Sequence, residues 1–119
     1  MKGKRIMIAD DDPGILDAVS ILLEFEGYNV TCTPNGASLL TMQTDLPDLI
    51  LLDIWMSGVD GRDICRQLKQ NTLTSNLPIV MVSASKDIER SALDAGADGF
   101  LAKPFEMDDL LQKIEQYIS

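Results

Sequence analysis

Residues 48–53 read Asp48-Leu49-Ile50-Leu51-Leu52-Asp53, an unbroken apolar run with a carboxylate at each end. A strand with one wet face alternates apolar and polar side chains, whereas a strand covered on both faces does not. This stretch therefore reads as the central strand of a parallel sheet packed between helices. Parallel strands need long crossover connections, and the flanking sequence supplies both the strands and the crossovers. Upstream, Arg5-Ile6-Met7-Ile8-Ala9 is a short buried run that stops at Asp10, and Tyr28 to Thr33 is rich in β-branched residues. Downstream, Pro78-Ile79-Val80-Met81-Val82-Ser83 and Asp98-Gly99-Phe100-Leu101-Ala102 make the fourth and fifth strands.

Between these runs the apolar period changes to that of a helix. Asp12-Pro13 is a helix start, a capping carboxylate followed by proline at the first helical position. Ile15, Leu16, Val19, Ile21, Leu22, Leu23 and Phe25 follow at near-helical spacing, and Gly27 is a natural stop. Further helices are expected over Asn35 to Thr44, closed by Leu46-Pro47, and after the loop Ser57-Gly58-Val59-Asp60-Gly61 to about Gln70. The last two are expected over Asp87 to Ala95, stopped by Gly96, and over Glu106 to Ile118. Five strands alternating with five helices predict a doubly wound α/β fold, a five-stranded parallel sheet with helices on both faces and right-handed crossovers. The 119 residues suit one domain, residues 1–119.

Composition narrows the functions. Hydrophobic residues make up 45% and charged residues 24%, ordinary globular usage. The formal net charge is −9, which disfavours direct contact with nucleic acid phosphates and favours a divalent cation or a basic protein partner. There is no histidine, so any chemistry that needs an imidazole from this chain is excluded. Cys32 and Cys65 lie far apart without CxxC spacing, which suits free thiols in a reducing compartment. The start Met1-Lys2-Gly3-Lys4-Arg5 is followed by an apolar run too short for a signal peptide or a membrane span. A cytoplasmic location away from membranes is the expectation.

The polar residues gather at the strand ends. The first strand ends in Asp10-Asp11, the third in Asp53 and the fourth in Ser83, and Lys103 follows the fifth. In open parallel sheets ligands bind beyond the carboxyl ends of the strands, where strand order reverses. With the order 2-1-3-4-5 the first and third strands are neighbours there, and three carboxylates share one crevice. Such acids stay ionised together only beside a cation, and hard oxygen donors suit Mg²⁺. Lys103 and Ser83 would add a positive charge and a hydroxyl donor, together a clamp for a tetrahedral anion carried on one of the acids, as phosphoryl transfer requires.

Four segments carry a resemblance: Ile8-Ala9-Asp10-Asp11-Asp12-Pro13, Leu51-Leu52-Asp53-Ile54-Trp55-Met56, Val82-Ser83-Ala84 and Phe100-Leu101-Ala102-Lys103-Pro104-Phe105. In this order, each at a strand end, they resemble the receiver domains of bacterial two-component response regulators over the whole chain. The resemblance implies a flavodoxin-like fold with Asp53 as phosphoacceptor. It implies that Asp10 and Asp11 bind Mg²⁺, Asp11 directly, with the Trp55 carbonyl completing the metal shell. Ser83 and Lys103 would hold phosphoryl oxygens, and Ser83 with Phe100 would form the switch. The Lys103-Pro104 bond is often cis in the family. Implied partners are a sensor histidine kinase or histidine phosphotransfer protein, an output domain or target protein, and a second copy in a phosphorylation-dependent homodimer. Such a protein is no enzyme for an outside substrate and catalyses only its own phosphorylation and dephosphorylation. Three residues depart from the common pattern: Met56-Ser57 replaces Met-Pro, Trp55 is bulky where it would shield the acyl phosphate or hinder donors, and Phe100 replaces the commoner tyrosine.

Simpler roles fit other residues. Asp12 reads as a helix cap, Asp60-Gly61 as a turn and helix start, and Met42, Met56, Met81 and Met107 as packing. Two other functions share these features. A flavodoxin-like cofactor-binding or interaction module would work without phosphorylation, but acids stand where a flavin phosphate needs a Gly- or Ser/Thr-rich loop. An Asp-nucleophile phosphatase usually carries a further acid two residues after the nucleophile, where this chain has Trp55.

Overall fold

The computed structural model describes residues 3–42, 46–56 and 58–118. In chain order the elements are β1 (Arg5–Ala9), α1 (Pro13–Phe25), β2 (Asn29–Thr33), a 3-10 helix (Gly36–Thr41), β3 (Leu49–Asp53), β4 (Trp55–Met56), β5 (Val59–Asp60), α2 (Gly61–Gln70), β6 (Ile79–Ser83), a 3-10 turn (Lys86–Ile88), α3 (Glu89–Asp94), β7 (Gly99–Ala102) and α4 (Met107–Ile118). The main sheet has the order β2-β1-β3-β6-β7, all parallel. Counting only its own strands, this is the expected 2-1-3-4-5.

The continuous apolar runs are explained by two packed faces. Every residue of β3 and of β6 is buried. Alternate side chains go to opposite sides of a strand. Leu49, Leu51, Val80 and Val82 join Val19 and Leu23 of α1 and Leu110 and Ile114 of α4 in one core. Ile50, Leu52, Ile79 and Met81 join Leu39, Ile64, Cys65, Leu68 and Ala92 in the other. Asp12 caps α1 as expected, its Oδ1 accepting from the Gly14 N–H at 2.9 Å and the Ile15 N–H at 3.4 Å. Gly27 ends the helix at φ +99°, a conformation that glycine adopts without penalty.

Three expectations need correction. The second helix is not an α-helix from Asn35 to Thr44 but a 3-10 helix over Gly36–Thr41, and Thr44 lies outside the described residues. Its hydroxyls compete for the backbone: Ser38 Oγ and Thr33 Oγ1 donate to the Asn35 carbonyl at 2.8 and 3.1 Å, and Thr41 Oγ1 donates to the Ser38 carbonyl at 3.0 Å. The helix expected over Asp87 to Ala95 is a 3-10 turn followed by six α-helical residues, with no side-chain cap at Ile88. The segment after Asp53 is not a plain loop: Trp55 pairs with Asp60 and Met56 with Val59 in a two-stranded antiparallel hairpin, and Ser57 lies outside the described residues. Of the four methionines, Met56 and Met81 are core, whereas Met107 is 37% exposed.

Candidate functional site

The sheet brings the strand-end residues together. Ala9 pairs with Leu52, so β1 and β3 run side by side and release Asp10 and Asp53 at the same edge. Asp53 pairs with Val82, and Ser83 pairs with Ala102, so the ends of β6 and β7 close the row. The Lys103 N–H donates to the Ser83 carbonyl at 2.8 Å, which starts the Lys103 side chain at that edge. The Lys103-Pro104 bond is cis.

Asp10, Asp53 and Ser83 are buried, and Asp11 is exposed. Lys103 reaches two of them: its Nζ donates to Asp10 Oδ2 at 3.0 Å and lies 3.5 Å from Asp53 Oδ1. The second Asp10 oxygen, Oδ1, accepts from the Asp12 N–H at 2.9 Å. Asp10 is thus held from both sides, and Asp53 carries the less engaged carboxylate of the pair. Burial and the negative charge of Asp10 push the Asp53 carboxyl up from 3.8 to about 6, with Lys103 opposing them only in part. Asp10, Asp11 and Asp53 each offer an oxygen, all within 4.8 Å of one another. Three carboxylates against one ammonium leave a net negative crevice of hard donors, which fits a divalent cation of the Mg²⁺ type.

A family model described as the response regulator receiver domain matches residues 6–115. The chain belongs to the response regulator receiver domain family. This receiver domain is 39% identical over 113 residues to the DNA-binding dual master transcriptional regulator RpaA of Synechocystis, covering 92% of the chain and 47% of RpaA. It spans about half the length of the curated relatives it matches. Among solved structures, it superposes on a CheY-like response regulator receiver domain protein from Methanospirillum hungatei with a TM-score of 0.88 and 32% identity, covering 98% and 94% of the two chains. It also superposes on the response regulator TrrA from Thermotoga maritima, solved in complex with Mg²⁺-BeF, with a TM-score of 0.86 and 28% identity over 96% and 98%. No helix among the described residues is long and apolar enough to cross a membrane.

Phe100 and Trp55, both singled out in the sequence, flank this site differently. Phe100 lies inside already, 8% exposed, in the same packed cluster as Met81, Ala92, Ala95 and Ala97. Trp55 is 55% exposed on β4, and a guanidinium covers it: Arg62 Cζ lies 5.1 Å from the ring centroid.

Sequence reasoning passed over Arg62 and the full requirement for Gly61. Asp60 caps α2 as its position suggested, accepting from the Arg62 N–H at 2.9 Å. Gly61 donates its N–H to the Ile54 carbonyl, and a Cβ there would lie 2.5 Å from the Asp53 carbonyl oxygen. The Asp-Gly pair was the only available signal, and it spoke for a turn.

Proposed function

We propose that this receiver domain accepts a phosphoryl group on the Asp53 carboxylate and signals by the conformational shift that follows. The observation that carries the reading is the pairing of Lys103 with both Asp10 and Asp53 at the carboxyl edge of the sheet, with Asp11 beside them. Asp53 is the buried acid at the end of the central strand whose oxygens are least engaged. One of these oxygens attacks phosphorus; the bond from phosphorus to the donor nitrogen or oxygen breaks, and the donor leaves with that electron pair. Lys103 lies where it can neutralise the added charge, and Ser83 offers a hydroxyl at the adjacent strand end. Asp10, Asp11, Asp53 and the Trp55 carbonyl would hold Mg²⁺, which would supply positive charge to offset that of the incoming phosphoryl group. TrrA, a similar receiver solved with Mg²⁺-BeF, supports a bound Mg²⁺ in this reading.

The donor in this reading is a sensor histidine kinase or a histidine phosphotransfer protein, the partners that membership of the receiver domain family implies. The receiver domain catalyses only its own phosphorylation and dephosphorylation, works in the cytoplasm as one domain over residues 1–119, and controls an output domain, a target protein or a phosphorylation-dependent homodimer. The net charge of −9 favours protein partners over nucleic acid for this domain itself. The switch elements are Ser83 and Phe100. Phe100 starts inside, so its part is to repack with α3 as Ser83 turns toward the new anion.

The test is incubation with acetyl phosphate and Mg²⁺, read by intact-protein mass. One phosphoryl group should be added, and the addition should vanish in EDTA and in Asp53→Asn. Full labelling of Asp53→Asn would overturn the assignment.

A further inference from the structure

Beside the acids lies a cleft of about 400 Å³ lined by Asp11, Trp55, Met56, Gly58, Val59 and Asp60. Asp11 belongs both to this cleft and to the acidic cluster, so the cleft adjoins the cluster that holds Asp53. One of its walls is the Trp55 indole. A side chain 55% exposed on a two-residue strand would ordinarily sample several rotamers. Here the guanidinium of Arg62 stacks over the ring at 5.1 Å.

Arg62 is itself held on two further sides. Its Nε donates to Asp60 Oδ1 at 3.0 Å and its Nη2 to Asp60 Oδ2 at 2.6 Å, a forked pair. Its Nη1 donates to Ser91 Oγ of α3 at 2.9 Å, and that hydroxyl donates to the Ile88 carbonyl at 3.0 Å. Asp60 needs none of this to cap α2, because it already accepts from the Arg62 backbone N–H. A planar fork bound along two edges has little freedom left, and its Cζ is held over the indole. A lysine in this place could meet one of the three partners at a time.

We propose that Arg62 is a positioning residue: it fixes the Trp55 indole as one wall of the entrance to Asp53 and ties that wall to α3, so that it sets how fast phosphodonors reach the acid. The inference rests on Asp53 being the acceptor. It adds that access to Asp53 is gated by a cation–π contact whose far end is anchored on the helix expected to move. With Arg62 removed, the indole swings across the cleft mouth and slows entry.

Trp55 is the chain's single tryptophan, so fluorescence excited at wavelengths that tyrosine does not absorb reads this ring alone. In Arg62→Met, with no donor present, Trp55 emission should shift to longer wavelength and acrylamide quenching should rise. The rate constant for phosphorylation by acetyl phosphate should fall roughly two- to fivefold, the factor that a partly exposed cation–π contact is worth. In a Trp55→Ala background the same Arg62→Met change should leave the rate where Trp55→Ala alone puts it. Unchanged fluorescence, or a fall of equal size in both backgrounds, overturns the proposal. Ser91→Ala, which removes one anchor and spares α2, should raise quenching by less than Arg62→Met; quenching equal to wild type overturns the tie to α3. If Arg62→Met fails to fold by circular dichroism, Ser91→Ala carries the two-background comparison instead. A wild-type chain that takes no phosphoryl group refutes the reading of Asp53 and this inference with it. A wild type that is phosphorylated, with variants indifferent to Trp55, refutes this inference alone.

Discussion

Asp53 holds its proton up to about pH 6 because burial and Asp10 outweigh Lys103. The folded chain therefore binds that proton more tightly than the unfolded chain, and stability falls as pH rises from about 4 through about 6. By pH 7 the full cost is present in metal-free protein, on the order of 2–3 kcal/mol. Asp53→Asn should remove it: in EDTA its Tm should exceed that of wild type at pH 7, and the two should converge near pH 4. A difference independent of pH would mean that Asp53 is not the strained acid. Gly61 is the second residue whose surroundings decide everything. A methyl group there meets the Asp53 carbonyl oxygen at 2.5 Å, backbone that cannot rotate away. Gly61→Ala should push apart the start of α2 and the end of β3, cost about 1–3 kcal/mol in urea denaturation, and slow phosphorylation because Asp53 is displaced. Asp10, Asp11, Asp53, Ser83 and Lys103 could all be picked out in the sequence, because each ends or follows a strand that its apolar run announces. Arg62 could not, since its partners Trp55 and Ser91 become neighbours only once the β4–β5 hairpin and α3 are built.

Among the elements, α1 and α3 differ most in how they are secured. α1 has thirteen residues, a side-chain cap and two buried anchors, Val19 and Leu23. α3 has six residues, no side-chain cap and one buried residue, Ala92. A helix so short gains little from its own hydrogen bonds and depends on its packing. Amide exchange should be faster across residues 86–94 than across α1 or α2, and beryllofluoride with Mg²⁺ should change NMR shifts over residues 84–105 more than elsewhere. Ser83→Ala should still bind beryllofluoride while transmitting less of that change. Shifts that stay put across this face, with beryllofluoride demonstrably bound, would send the signal out by another surface. The strands of the main sheet were legible to within a residue: β3 and β6 because burial on both faces writes itself as uninterrupted hydrophobicity, and the edge strand β2, which has no buried residue, through its β-branched residues. The second helix was misjudged because Ser38 and Thr41 fit the helical period yet spend their hydroxyls on backbone carbonyls, and Thr33 at the end of β2 adds a third such bond. The hairpin was missed because two-residue strands carry no period at all.

At the scale of the whole molecule, the acidic crevice is the place where folding and ligand binding meet. Three carboxylates converge because two neighbouring strands end together, and a divalent cation bound there would stabilise the native state. With Mg²⁺ at about ten times its Kd, the gain should be about 1.4 kcal/mol, visible as a higher Tm at pH 7. Asp11→Ala should need far more Mg²⁺ for the same rise, and an absent shift in wild type at saturating Mg²⁺ would count against the metal site. By itself the sequence determined the positions of the main-sheet strands and of most helices, the two-faced packing of the sheet, and the set of acids at its carboxyl edge. These follow from rules that act over a few residues: side-chain period, caps and turn formers. Only the tertiary structure decided that Lys103 bridges Asp10 and Asp53, that Gly61 must lack a side chain, that Phe100 begins inside, and that Arg62 clamps Trp55 to α3. Lys103 and Asp10 are 93 residues apart in the chain, and Arg62 and Ser91 are 29 apart. No local pattern spans such separations, so contacts of this kind exist only once the crossovers have brought the strand ends to one edge.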